Sequence, residues 1–238
     1  MIKTVLFDLD GTLLPMDQDQ FTNAYFTRLA AFMAARGHDP KTFLRGVKTG
    51  LAAMVKNDGT ATNEQAFWRS FASVCTETGT GDKALFDRFY REEFAGAKEV
   101  CGFDPAAGAL IRRLKREGYR LVLASNPVFP AVAQRARMEW AGVDPADFHR
   151  ITSYENSRYC KPNPAYYREI ALLLDLDPAE CVMVGNDLRE DTAALQAGMK
   201  AFICTPCLIE REGEELSRYP HGRLEDLPDF LQGMKNTS

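Results

Sequence analysis

The sequence lacks several features that would commit it to a specialised class. It has no basic excess: 29 Lys and Arg stand against 33 Asp and Glu, a formal net charge of −4. That excludes a general nucleic-acid binder, because nothing is left over to neutralise a phosphate backbone. A small phosphorylated metabolite stays open, since a metal ion can offset its charge locally. Long apolar runs are missing, and no stretch nears the roughly 18 residues that span a bilayer. Lys3 and then two acids interrupt the opening, unlike a secretory signal. The expectation is a soluble, cytoplasmic protein.

Cysteine is sparse and scattered, at positions 75, 101, 160, 181, 204 and 207, which suits reduced thiols better than a disulfide framework. Only Cys204 and Cys207, in "FICTPCLIE", are closely spaced. A zinc site would need a second ligand pair. A strand end and turn is the simpler reading, and a redox pair is the alternative. The three histidines, His38, His149 and His221, lie far apart and receive no chemistry. Internal repeats and low-complexity tracts are absent.

What is present is patterned. At 238 residues, 45% hydrophobic and 26% charged, the chain can form one large domain or a core with an insert. "IKTVLFD" is a short β-branched run of the kind buried on both faces of a parallel sheet. Similar runs recur at 119–125, 180–186 and 200–205, with a weaker one at 149–153. Between them, "AAGALIRRLKREG" (closing on Gly118 as C-cap), "AYYREIALLLDL" and "EDTAALQAGM" carry helical spacing. Strands alternating with helices predict an α/β fold, a doubly wound, Rossmann-like parallel sheet.

The stretch 17–95 breaks the alternation with four amphipathic helical segments, separated by turn signals at "GHDP", "NDGTATN" and "GTGD". An all-helical cap domain over 17–95 is expected, with the core formed by 1–16 and 96–238. Its large apolar residues, among them Phe21, Tyr25, Leu29, Phe32, Phe67, Trp68 and Phe71, read as cap core. The tail "MKNTS" reads as frayed.

Chemistry concentrates at strand ends. In open parallel sheets, ligands bind beyond the carboxyl ends of the strands, where strand order reverses. Asp8 and Asp10, Ser125 and Asn126, Lys161, and Asn186, Asp187 and Asp191 all follow apolar runs. Like charges repel, so neighbouring aspartates at a strand end call for a cation. Paired carboxylates suit Mg²⁺. A carboxylate can attack phosphorus, and a lysine and hydroxyl can neutralise phosphoryl oxygens. Gly11 permits the turn after the acids, and Thr12 offers a hydroxyl and an N–H to a phosphate.

With these motifs in this order, the chain resembles the haloacid dehalogenase superfamily of phosphohydrolases with a helical cap after the first strand. "DLDGT" resembles the first motif, "LASN" the second, Lys161 before Pro162 the third and "VGNDLREDTAAL" the fourth. The resemblance implies Asp8 as nucleophile and Mg²⁺ ligand. It implies Asp10 as general acid and base, its carbonyl on the metal. Ser125 would bind the phosphoryl oxygens, with Gly11, Thr12 and Asn126 around the phosphate, and Lys161 would offset the charge. Asp187 would bind Mg²⁺, with Asp191 in support. Many relatives carry Gly-Asp where this chain has Gly185-Asn186. Asp187 is the favoured metal ligand, and the register that puts Asn186 there stays open.

In similar proteins the turn between two cap helices reads the substrate, which makes Lys56, Asn57 and Asp58 specificity candidates. Connections near 15–17 and 101–105 are candidate hinges. The expected activity is a Mg²⁺-dependent phosphatase acting on a small phosphorylated metabolite through a phospho-aspartate. A phosphomutase of the β-phosphoglucomutase type, a dehalogenase and a non-catalytic phosphate-ester-binding protein are the alternatives. Asp10 argues against the dehalogenase, because relatives with that chemistry lack the second acid.

Overall fold

A computed structural model describes residues 1–75 and 81–236. Gly79 and Thr80 of the predicted "GTGD" turn and the last two residues of the tail lie outside the described residues. The chain runs β1 (Thr4–Phe7), α1 (Gln18–Ala34), α2 (Pro40–Val55), α3 (Asn63–Ala72), α4 (Gly81–Glu92), α5 (Pro105–Arg116), β2 (Arg120–Leu123) and α6 (Ala131–Trp140). It continues with β3 (Arg150–Ile151), α7 (Pro164–Leu173), β4 (Cys181–Gly185), β5 (Lys200–Cys204), β6 (His221–Gly222) and α8 (Leu227–Asn236).

The strands form one sheet in the order β3-β2-β1-β4-β5-β6, with every pairing parallel. β1 sits centrally because all four of its residues are apolar or small and buried on both faces. Alternation sorts the two sides. Val5 and Phe7 join Leu121, Leu123, Val182 and Val184 in one core with residues of α5, α6 and α8. Leu6, Val122 and Met183 join a second core with Tyr166, Tyr167 and Ile170 of α7. Helices on both faces of a parallel sheet make this an α/β, doubly wound, Rossmann-like fold. Strand order reverses around β1, so the ends of β1, β2 and β4 open on one crevice.

The helices start where the sequence supplies caps. Asp17 accepts the Gln20 N–H at the head of α1, and Asp39 does so for Thr42 at α2. Thr62 and Gln65 form a reciprocal capping box on α3. Asp104 precedes Pro105 at the first position of α5, and Gly118 closes the turn after it with φ 85°. Phe21, Tyr25, Leu29, Phe32, Phe67 and Phe71 are buried, and Trp68 is half-buried against the same cluster. The connections into and out of α1–α4 run side by side: Met16 bridges Cys101, and the Gly102 N–H donates to the Pro15 carbonyl at 2.7 Å.

Four elements differ from expectation, among them α6 and α8, which the sequence reading did not name. "EDTAALQAGM" is a 3₁₀ helix over Thr192–Ala197, ended by Gly198 at φ 87°. Asp191 does not cap it, because both its oxygens are drawn elsewhere. β6 is an added edge strand, too short at two residues to leave a periodic signal. Cys204 is buried at the end of β5 and Cys207 lies in the turn beyond. No helix among the described residues is long and apolar enough to cross a membrane.

Candidate active site

The sheet register sets the site. Phe7 lies level with Leu123 and Val184, so Asp8, Ser125 and Asn186 emerge together at the top of three adjacent strands. The Asp8 N–H still donates to the Val184 carbonyl at 2.8 Å, which fixes its backbone in the sheet. Asp8 Oδ1 accepts from Lys161 Nζ at 2.8 Å, and Asp191 Oδ1 accepts from the same nitrogen at 2.7 Å. Lys161 is 1% exposed. Burial opposes its charge, yet Asp191 and Asp8 hold its pKa well above the ordinary value. Burial pushes the Asp8 carboxyl up to about 8, with Lys161 pulling the other way and the charges of Asp191 and Asp10 adding to the rise.

Asp10 faces a different cation. Arg137 Nη1 donates to Asp10 Oδ2 and Nη2 donates to Gln134 Oε1. The guanidinium also lies 4.3 Å from the Phe129 ring centroid. Burial raises the Asp10 pKa despite the opposing pull of Arg137. Asp10 Oδ1 is buried with no hydrogen-bond partner among the described residues. Sequence reasoning missed Arg137. Its signal is periodic: it sits four residues from Ala133 and four from Ala141 on a buried stripe where an apolar residue is expected.

The loop after β4 holds the remaining acids. Asp191 Oδ2 accepts the Asp187 N–H at 2.9 Å. A Cβ on Gly185 would meet that carboxylate at 2.0 Å, so the strand must end in glycine. Asp187 turns away from Asp8: its oxygens accept from Arg211 Nη1 at 2.7 Å and Nη2 at 2.8 Å, and from the N–H groups of Arg189 and Glu190. Burial pushes the Asp187 carboxyl up, but these bonds outweigh it and hold it below its ordinary range. Asn186 lies over Gly11, where a Cβ would meet Nδ2 at 2.2 Å. Its Oδ1 accepts from the Thr12 hydroxyl at 3.1 Å and its Nδ2 donates to the Cys207 carbonyl at 2.7 Å.

A cavity of about 170 Å³ gathers Asp8, Asp10, Ser125, Asn126, Asn186, Asp187 and Asp191. Glu190, which the sequence reading left unassigned, lines it too. Its carboxylate accepts from Asn126 Nδ2 at 3.1 and 3.2 Å, and burial pushes it up to about 7. Thr12 does not face this cavity: its hydroxyl is on Asn186 and its N–H on the Leu9 carbonyl at 3.2 Å. The Gly11 N–H is likewise held by Leu14. The turn carrying Lys56, Asn57 and Asp58 lies apart from the cavity. Asn57 Nδ2 donates to Ala61 and Asn63, Asp58 accepts from Thr60, and Asn63 ties the turn to Pro127 and Ser157. Its polarity organises a turn that docks on the sheet side.

Among the described residues no three His, Cys, Asp or Glu side chains converge as a ready metal cage. The donor chemistry nevertheless fits Mg²⁺, which is usually held by one or two carboxylates plus waters and substrate phosphate. The unpartnered Asp10 Oδ1 is open to a ligand, and burial together with neighbouring carboxylates raises Asp8 and Glu190, a cost to their charged forms that a divalent cation relieves.

Residues 2–198 match the family model described as haloacid dehalogenase-like hydrolase. The chain is 27% identical to a phosphoglycolate phosphatase of Cereibacter sphaeroides, over 96% of this chain and 97% of that one. It is also 27% identical to Protein SUPPRESSOR OF QUENCHING 1, chloroplastic, of Arabidopsis thaliana, over 88% of this chain but only 18% of that protein. Among solved structures, a 2-haloacid dehalogenase of Pseudomonas syringae superposes with a TM-score of 0.66 at 20% identity, covering 98% of this chain and 100% of that one. That likeness speaks to the fold alone.

Proposed function

The chain belongs to the haloacid dehalogenase-like hydrolase family, and from that premise we propose a Mg²⁺-dependent phosphatase acting on a small phosphorylated metabolite. One observation carries the reading: a fully buried lysine bridges Asp8 and Asp191 beside a second, separately paired aspartate, Asp10. The phosphatase relative, matched over nearly its whole length, supports it.

Lys161 engages Asp8 Oδ1, which leaves Oδ2 as the attacking oxygen. The Asp8–phosphorus bond forms as the ester P–O bond breaks. Asp10, held toward its protonated form by burial, gives its proton to the leaving oxygen. It then takes a proton from the water that cleaves the phospho-aspartate. Ser125 hydrogen-bonds the phosphoryl oxygens, Asn126 borders them, and Lys161 balances their charge. Mg²⁺ would be held by the Asp8 carboxylate and the Asp10 carbonyl, with a third ligand from the loop after β4. It would supply charge neutralisation at the phosphoryl group. For the third ligand the geometry favours Asn186, because Arg211 takes both Asp187 oxygens. The residues around α1–α4 act as a cap whose paired connections serve as the hinge.

Purified protein with Mg²⁺ should release phosphate from p-nitrophenyl phosphate. Asp8→Asn or EDTA should reduce that release to background. Full activity in Asp8→Asn, or halide release that survives EDTA, would reject the mechanism.

A further inference from the structure

The site cavity abuts a second cavity of about 150 Å³, enclosed by α1–α4 and the loop after β2. Thr22, Val128 and Phe129 line both. The other walls are largely aromatic, with Tyr25, Phe67, Trp68, Phe86, Tyr90 and Tyr154. No charged side chain among the described residues lines it. The hydroxyls of Tyr25 and Tyr90 satisfy each other at 2.9 Å, so they make no demand on a guest.

We infer that this cavity seats the leaving group of the proposed phosphatase, and that the substrate class is a phosphate monoester of an alcohol bearing one aromatic or equally compact apolar ring. The inference rests on the phosphatase reading and adds the chemistry of the departing alcohol. Size sets one bound, since an apolar cavity of about 150 Å³ stays dry and admits one benzene-sized ring. Polarity sets the other. A carboxylate or a polyol placed here would lose more hydration than the Trp68 Nε1 on the wall, unpartnered among the described residues, can replace, and no lining cation balances a carboxylate. Phosphoglycolate, the substrate in the name of the Cereibacter sphaeroides relative, carries such a carboxylate. The lining rings already meet edge to face, as in Trp68 against Phe86 at 5.3 Å and 84°, an arrangement a guest ring extends. Phe129 joins the two chambers: one chamber's wall is its ring, and that ring also lies beside the Arg137 that holds Asp10. A ring in the second cavity thereby brings its ester oxygen toward the proton donor. The bond broken is phosphorus to that oxygen, the proton comes from Asp10, and water carries away the phosphoryl group as inorganic phosphate.

The test compares 2-phenylethyl phosphate with ethyl phosphate, whose alcohols have similar acidity, so the ratio of kcat/KM reads the ring and not the leaving ability. Wild type should favour the phenylethyl ester about tenfold or more, and 2-phenylethanol should inhibit competitively. Leu51→Phe and Val47→Phe, which fill the cavity from α2, should bring the ratio toward one and weaken inhibition by the alcohol. The wild-type ratio and inhibition need no variant, so misfolding of either variant leaves the test decisive. Equal kcat/KM for the two esters, or faster turnover of phosphoglycolate than of the phenylethyl ester, would overturn the substrate class while the phosphatase reading stands. Absence of phosphate release from these esters and from p-nitrophenyl phosphate would overturn both.

Discussion

Asp8 and Glu190 make the metal-free protein sensitive to pH in a definite direction. Burial raises Asp8 from 3.8 to about 8 and Glu190 from 4.5 to about 7. Across that window the folded state keeps protons that the unfolded chain has already released. Stability in EDTA therefore falls as pH rises from about 4 toward 8. Melting temperatures of wild type and Asp8→Asn in EDTA should diverge with rising pH, the wild type losing more. Parallel curves would show that Asp8 is not the titrating group. Arg137 gives a second residue-level prediction. It is buried completely and donates to both Asp10 and Gln134, so Arg137→Ala leaves two acceptors without their donor and should cost about 1–3 kcal/mol in urea unfolding. Of these residues, Asp8, Asp10 and Ser125 were legible because each follows an apolar run within two or three positions. Arg137 and the Asp187–Arg211 pair were not, since their partners lie 127 and 24 residues away. A string of letters carries no measure of that proximity.

At the scale of elements, helix starts rest on capping side chains that sit inside what read only as turns. Thr62 followed by Gln65 is a capping box in letters and in space, and Asp39-Pro40 opens α2 as that pairing predicts. Thr62→Ala should lower stability by about 1 kcal/mol, read from the denaturation midpoint. An unchanged midpoint would mean that α3 is held by its aromatic face alone. "EDTAALQAGM" was misread for a local reason. Its spacing is helical, but Asp191 answers to Lys161 and to the Asp187 amide, and the segment tightens into 3₁₀ turns. The turn at 56–58 misled in the opposite way. Its side chains looked like recognition groups, and those of Asn57 and Asp58 are occupied in closing the turn on itself. The aromatic residues of α1 and α3 read as buried, which holds for all but the half-buried Trp68, but periodicity has no term for a void left between them.

For the whole molecule, the proposed metal binding and folding are linked, since a ligand that binds only the folded state stabilises it. Mg²⁺ at a hundred times its dissociation constant should add about 2.7 kcal/mol to the unfolding free energy. The increment should shrink in Asn186→Ala and persist in Asp187→Asn if Asn186 supplies the third ligand. The reverse pattern in the two variants would restore Asp187 to that position. The α/β architecture was legible as a whole because five apolar runs separated by helical spacing leave few other arrangements. The edge strand β6 and the helices α6 and α8 were not read.

The span between Asp8 and Lys161 has a consequence for how the protein comes into being. The two are 153 residues apart, and Asp191 stands 30 residues further on. Synthesis from the amino terminus delivers Asp8 well before the lysine that pairs with it, and that lysine before the second carboxylate it bridges. β1 is also the innermost strand, flanked by neighbours that arrive later on either side. No nascent or proteolytic fragment ending before Asp191 holds the complete buried triad, so on the proposed reading such a fragment has no working site.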